Sequence, residues 1–180
     1  MALLKPLFDP PVSLIPFDDS HIEPLRAACA EDVEIWNIYP LCMIGEHFDG
    51  SVALLAMLPN WSRFAVMNDD ALVGMTNYIG VDSQPGVIEI GGTYIAPSVR
   101  GTNFNFRMKA LLIEHAFANG FDTVEFKVDT RNGRSMHAVE KLGARRTATL
   151  ERNMTTWTGF VRDTAVFQLT EADWKNRLKV

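Results

Sequence analysis

Cysteine is scarce in this sequence, runs of positive charge are missing, and no apolar stretch is long; each lack removes a class of protein. The two cysteines, Cys29 and Cys42, form no CxxC pair. That excludes a disulfide framework or a paired-thiol redox motif, and two buried free thiols suit a reducing cytoplasm. His21, His47, His115 and His137 are scattered and never fall into an HExxH spacing, so no metal site is expected. The densest basic cluster, Arg145-Arg146 with Arg152, is short and interrupted, and the formal net charge is −5. This reads as a solvated strand end, and a nucleic-acid partner is not expected. No apolar run approaches the roughly 20 residues of a membrane span. The opening MALLKPLFDPP is broken by Pro6, Pro10 and Pro11 and lacks a signal-peptide pattern. A soluble, cytoplasmic protein without a membrane partner is the expectation.

What is present is an ordinary globular composition, 47% hydrophobic and 22% charged over 180 residues. That is enough apolar surface for one continuous core, so residues 1–180 are read as a single domain. Val12–Phe17 predicts a first strand. Ser20 and Glu23 then have the spacing of a capping box, opening a helix to about Ala30. Between Glu31 and Leu58 the pattern is helical but irregular. Its aromatic cluster, including Trp36, Tyr39 and Phe48, suits either a core or the wall of a substrate groove.

Arg63–Met67 and Ala71–Val81 predict a hairpin, followed by a strand over Val87–Ala96. Two apolar stripes, one through Phe104, Met108, Leu111, Leu112 and His115, predict a buried helix; His115 is expected to be a satisfied core histidine. Thr123–Asp129 alternates as a strand, and a helix from about Asn132 to Leu142 follows. Strands over Arg145–Asn153 and Phe160–Leu169 come next, then a short helix capped by Thr170 and carrying Trp174. The expected fold is α/β (α+β): a mixed, mostly antiparallel twisted sheet with helices on both faces and one parallel pair.

The most informative stretch runs from Tyr94 at a strand end, through a short polar loop containing Gly101, to Asn105, and passes straight into the buried helix. A strand–loop–helix joint aims unpaired backbone N–H groups at one point, with the positive end of the helix dipole behind them. Such a point suits a phosphate or pyrophosphate. No Gly-Lys-Ser/Thr follows, which excludes a Walker loop, and the dinucleotide GxGxxG is absent too.

Arg100-Gly101-Thr102-Asn103-Phe104-Asn105 resembles the pyrophosphate-binding motif of the GNAT N-acetyltransferases in its RimJ/RimL-like form. Asn132, Ser135 and the Lys141-Leu-Gly-Ala144 ending resemble that family's N-x-x-S-x-x-A-x-x-K-L-G-A signature, and Gly159, Arg162-Asp-Thr and Trp174 match its close. The resemblance runs from about Val12 to Trp174. It implies a GNAT-like fold and acetyl-CoA as cosubstrate, with no metal. It also implies an amine acceptor, either a protein N-terminus or a small molecule, and admits a homodimer.

In that family the backbone of Arg100 to Asn105 holds the pyrophosphate. The strand end at Thr93, Tyr94 and Ile95 pairs with the pantetheine arm through main-chain bonds. Asn132 corresponds to a pantetheine contact, or is simply a helix N-cap, and Ser135 corresponds to a residue near the departing thiolate. Asn103 stands where the family usually has glycine, so the backbone there is expected to be left-handed or closely approached.

An ammonium cannot attack a thioester, so a base must first remove a proton, which is easier from an α-amino group than from a lysine. Glu89, read as sharing a strand face with Gly91 and Thr93, is the candidate base or else a surface glutamate; Glu125 on the neighbouring strand is second. The attack would form an oxyanion held by a backbone N–H. The alternative function is a non-catalytic CoA-binding sensor or interaction module on the same fold.

Overall fold

The structure, a computed structural model, describes residues 3–81 and 83–177. Eight strands form one sheet: β1 (Leu7–Asp9), β2 (Val12–Pro16), β3 (Trp61–Asn68), β4 (Ala71–Ile79), β5 (Val87–Ile95), β6 (Thr123–Asp129), β7 (Arg145–Thr155) and β8 (Val161–Thr170). Their order is β1-β2-β3-β4-β5-β6-β8-β7. Every neighbouring pair is antiparallel except β5 with β6, the parallel pair that the strand–helix–strand order implied. β1 falls in the proline-broken opening, where no strand was expected. It is three residues long and lies at the sheet edge, pairing with β2 alone.

Five α-helices cover the sheet: α1 (Ile22–Ala30), α2 (Phe48–Ala56), α3 (Phe104–Ala118), α4 (Gly133–Lys141) and α5 (Glu171–Arg177). On one face, α3, α4 and α5 bury Met108, Leu112, Val139 and Trp174 against Ile88, Ile90, Val124, Phe126 and Phe167. On the other, α1, α2 and the segment between them bury Leu25, Trp36, Met43 and Phe48 against Met75 and Tyr94. The aromatic cluster after Glu31 is therefore chiefly core. Two short 3-10 turns, Glu34–Ile38 and Gly45–His47, make the irregular helical pattern seen there.

His115 is buried with Nε2 2.9 Å from the Leu3 carbonyl oxygen and Nδ1 3.1 Å from the Asn119 amide, a satisfied core histidine. The first helix starts differently from the sequence expectation. Asp18, not Ser20, is the cap: its carboxylate accepts the Ser20 N–H at 2.9 Å, while His21 Nδ1 accepts the Asp18 N–H at 3.0 Å. This box caps a 3-10 turn, Asp19–His21, that precedes α1. Three adjacent residues could each cap, and the first of them takes the position. Thr170 caps α5 as expected, accepting the Asp173 N–H at 3.1 Å.

The contact between β4 and β5 leaves no room at Gly74. A Cβ there would stand 2.0 Å from the Tyr94 carbonyl oxygen and 2.9 Å from Ile95 Cα, both backbone atoms that cannot swing aside. Gly74→Ala should cost about 3 kcal/mol of stability, the upper range for overpacking. Gly50→Ala is the control, because that glycine lies inside α2 with nothing within 4 Å. It should gain about 0.5–1 kcal/mol through helix propensity and unfolded-state entropy. Denaturant titration of the two variants measures both.

Candidate functional site

Alternation along β5 breaks at one point, and the site grows from that break. Ile88 and Ile90 pack on the α3 side, yet Tyr94, which regular alternation would place beside them, is buried on the α1 side. The register with β4 explains the swap. Asn77 faces Gly91 and Met75 faces Tyr94, so Gly92 and Thr93 together oppose Thr76 alone. This is a β-bulge. Gly92 carries it at φ +55°, and the Asn77 side-chain amide donates to the carbonyls of Gly91 and Gly92, 3.1 Å each.

The bulge corrects one expectation directly. Glu89 and Thr93 do not share a face: Glu89 lies on the α1 side, whereas Thr93 turns to the α3 side and meets Lys109. It also divides Thr93, Tyr94 and Ile95. The Ala96 N–H donates to the Val73 carbonyl on β4 at 2.7 Å. By two-residue alternation the Tyr94 main chain also faces β4, so Tyr94 is not available to pair with a ligand on the other edge. Its ring stacks on Trp36 at 4.8 Å and its hydroxyl donates to the Ala28 carbonyl at 2.7 Å. Thr93 and Ile95 turn their main-chain groups the opposite way.

On that side a gap opens. β5 pairs with β6 only over Val87–Glu89 and Thr123–Glu125. Beyond those residues β5 follows β4 to Ile95, and β6 follows β8 to Asp129. The strands part into a wedge, with the Thr93 and Ile95 N–H groups on its β5 wall. The carbonyls on this wall are braced by side chains. The Tyr39 hydroxyl donates to the Thr93 oxygen at 2.5 Å, and Arg100 Nε donates to the Ile95 oxygen at 2.8 Å. Burial pushes the Tyr39 phenol up to about 12, so it stays protonated as a donor. The Arg100 guanidinium also pairs with Asp32, which makes its side chain a brace while its main chain begins the loop.

The loop leads from the wedge into α3. Gly101 takes φ +74° with open space around it. Thr102 Oγ1 donates to the Val99 carbonyl at 2.9 Å and accepts the Phe104 N–H at 3.1 Å, closing the turn. Asn103 has φ −75° and ψ 0°, right-handed, and its carbonyl accepts the Arg107 N–H at 3.1 Å. The expectation of a left-handed backbone at Asn103 is therefore overturned. The positive φ sits two residues earlier, and Asn103 already belongs to the helix entry. The N–H groups of Asn105 and the residue after it belong to the first turn of α3, which has no intrahelical partners to give them. Across the wedge, Asn132 Oδ1 accepts the Ser135 N–H at 3.0 Å, so Asn132 is the N-cap of α4 with half-buried Ser135 on its first turn. The adjacent Arg134 is near enough to Asp32 and Tyr39 to act on both electrostatically.

The α1-side floor of the wedge carries the titratable groups. Lys127 Nζ bridges Glu89 Oε2 at 2.9 Å and Glu125 Oε1 at 3.0 Å, joining the two candidate bases on one ammonium. Burial raises the Glu89 carboxyl above the ordinary carboxylate range, against the pull of Lys127. A Cβ on Gly91 would come within 2.8 Å of Glu89 Oε1, so the glycine leaves room for that carboxylate. Asp129 is paired with Arg131 at 2.6 Å. Arg162 Nε and Thr164 Oγ1 are buried there without a hydrogen-bond partner among the described residues, groups that a ligand or water would satisfy. The β7–β8 turn reaches across this floor, where Trp157 Nε1 donates to the Trp36 carbonyl at 2.8 Å. Among the described residues no three His, Cys, Asp or Glu converge as a metal site, and no helix is long and apolar enough to cross a membrane.

Sequence reasoning missed the bulge, Tyr39 as a brace, Lys127 and the buried Lys109. Glu125 and Lys127 at i and i+2 on one strand face were the legible sign of a charged cluster. Since Gly101 and not Asn103 carries the special backbone, Gly101→Ala should lower stability by about 1 kcal/mol, the scale of forcing a Cβ into left-handed space. Asn103→Ala should stay within about 0.5 kcal/mol of the parent. Denaturant titration of the two variants distinguishes the two positions.

Residues 12–145 match the model of the Acetyltransferase (GNAT) domain family. No curated protein matches the sequence. Among solved structures, a probable acetyltransferase (GNAT family) from Chromobacterium violaceum ATCC 12472 is similar at 26% identity and TM-score 0.86, over 96% of this chain and 94% of that one. Mycobacterium smegmatis RimJ in complex with CoA-disulfide shares the fold at 19% identity and TM-score 0.78, over 94% and 87%. Spermidine N-acetyltransferase from Vibrio cholerae, in complex with CoA and spermine, shares it at 16% identity and TM-score 0.75, over 93% and 100%. With a family model matched over most of its length, and a wedge and loop of the geometry described, the chain belongs to the GNAT acetyltransferase family.

Proposed function

We propose that the protein transfers an acetyl group from acetyl-CoA to a primary amine, by direct attack with both substrates bound, in the manner of the RimJ/RimL-like branch. One observation carries the reading: β5 and β6 part beyond Glu89 and Glu125, β5 runs on through the Gly101 turn into the first turn of α3, and a carboxylate cluster lies at the parting. The residues fit the cofactor. Main-chain N–H groups of Gly101, Thr102, Asn103 and Asn105, backed by the α3 dipole, would hold the pyrophosphate, while the Phe104 N–H is taken by Thr102 Oγ1. Thr93 and Ile95 N–H groups, with Asn132 and Ser135 opposite, would line the pantetheine arm. Bound there, acetyl-CoA supplies an acyl group already activated as a thioester.

The chain's own residues then have to place the amine and move its proton. Glu89, with its carboxyl raised by burial, is the stronger base candidate, because a base works best with a pKa nearer the operating pH. Lys127 holds Glu89 and Glu125 in place until an incoming ammonium competes for them. A wedge N–H is available to a developing oxyanion, and the Ser135 hydroxyl to the departing thiolate.

The floor is balanced in charge: Glu89, Glu125 and Asp129 stand against Lys127, Arg131 and Arg162. That balance favours an acceptor with a single ammonium, such as a protein N-terminus, over a polycation. A second reading, a CoA-binding sensor without turnover, draws on the same Lys127, which already neutralises both carboxylates.

Acetyl-CoA should raise the melting temperature saturably, and ATP or NAD at equal concentration should not. Thiol release against a panel of amines then separates enzyme from sensor, since a sensor shifts without releasing thiol. In the parent, kcat/KM should fall on the acid side as Glu89 takes up its proton, at a pH above the ordinary carboxylate value. Glu89→Gln should lower the rate most at low pH, where few amines are unprotonated. If Glu125→Gln shows that pattern instead, the base is on β6. Ser135→Ala should slow turnover by about 10- to 100-fold with little change in cofactor affinity.

A further inference from the structure

Lys109 lies in the middle of α3, on the face packed against the sheet, and is 6% exposed. Its Nζ donates to Thr93 Oγ1 at 2.7 Å, and Thr93 Oγ1 in turn lies 2.8 Å from Thr76 Oγ1. On its other side stands the ring of Phe126, 5.8 Å from Nζ to centroid. Thr93 is on β5 and Phe126 on β6, and both lie past the last paired residues, Glu89 and Glu125. The nitrogen therefore sits between the two strands just beyond their parting, at the inner end of the wedge.

A core position gives a lysine little reason to be there. An aliphatic side chain would fill the space without the desolvation cost of an amine. The groups that face Lys109 are uncharged: the hydroxyls of Thr93 and, behind it, Thr76 of β4, and the Phe126 ring. Glu89, Glu125 and Lys127 project from the opposite sheet face, and on α3 itself Arg107 is held by Asp9 while His115 bonds the Leu3 carbonyl. Burial alone lowers the Lys109 ammonium to about 7. One acceptor, Thr93 Oγ1, serves a group that in its charged form has three N–H bonds to donate.

We propose that Lys109 is a ligand-contacting residue of the wedge, donating a hydrogen bond to a carbonyl of the acyl-pantetheine chain threaded between β5 and β6. This rests on the acetyl-CoA reading given above and adds to it a polar anchor that the loop and strand edge do not supply. A carbonyl brought against Nζ favours the protonated form, so binding draws a proton onto the lysine. The sign follows from linkage. With the free value near 7 and the bound value higher, binding takes up protons between the two, and affinity falls as pH rises across that interval.

The test uses the whole protein and acetyl-CoA, which has no free thiol to titrate. Calorimetry at pH 8 in two buffers of different ionisation enthalpy should show net proton uptake by the parent, and the dissociation constant should rise from pH 7.5 to 9.5. Lys109→Met and Lys109→Gln should lose the uptake and bind about tenfold more weakly, the scale of a hydrogen bond from a charged donor. Folded variants with undiminished uptake and affinity would overturn the inference and leave Lys109 as a core filler.

A second measurement needs no variant. In protein labelled at lysine Cε, one NMR signal should titrate near neutrality, and saturating acetyl-CoA should move its midpoint upward. If acetyl-CoA binds and no such midpoint moves, the inference fails alone. If acetyl-CoA does not bind the parent at all, the functional reading falls and this inference with it.

Discussion

Two parallel strands that pair for three residues and then separate leave backbone N–H and C=O groups facing each other across a gap. In a closed sheet each of these groups would be satisfied by the neighbouring strand, and leaving them unmade inside a protein is costly. Here the separation is held open from both sides. β4 carries β5 away as far as Ile95, and β8 carries β6 away as far as Asp129, through longer antiparallel ladders than the short parallel contact could resist. The bulge at Gly92 then rotates β5, so that Thr93 and Ile95 face the gap and Tyr94 anchors the strand in the α1-side core. Tyr39 and Arg100 take up the exposed carbonyls, which leaves an edge of donors. A sheet defect supported in this way offers hydrogen-bond donors that the sheet itself does not use.

The same defect sorts the chemistry by face. Before the bulge, the polar positions of β5 and β6 project toward α1, where Glu89, Lys127 and Glu125 cluster. After it, the polar position of β5 projects toward α3, where Thr93 meets Lys109. One strand thereby carries a charged cluster on one side of the sheet and a threonine–lysine pair on the other. The loop after β5 follows from the same geometry. A strand end held by Ile95 and Arg100 hands the chain to Gly101, whose positive φ turns it, and Thr102 closes the turn before α3 begins. The first turn of α3 in this way follows directly on the strand end beside the gap.

Much of this architecture was legible because it obeys simple periods. Val124, Phe126 and Val128 alternate, so β6 and its inward face could be read directly, and the two apolar stripes of α3 marked it as buried. The order of strand, loop and helix around Arg100 located the turn that opens α3. What could not be read is where a period fails. A bulge adds one residue to one strand without altering composition, so plain alternation puts Glu89 and Thr93 on one face. The family motif's glycine points to Asn103 for the special backbone, yet the glycine two positions earlier takes the turn. The cap at Asp18 was ambiguous among three adjacent candidates, and β1 is too short and too proline-flanked to announce itself.

Lys109 shows a different limit. Charge is a strong prior for exposure, so a lysine inside a helix read as apolar on two stripes is easily passed over. Its position contradicts that prior: Lys109 stands three or four residues from Leu112 and Ile113 and seven from Ala116, all buried, so the helical period places it on the inward face. When period and charge disagree, the period describes where the backbone must put the side chain, and the charge describes what that placement costs. A fold that keeps a costly group on an inward face, at the point where its sheet is open, has a polar demand there. Apolar packing does not create that demand, and the carbonyls of an acyl-pantetheine chain would.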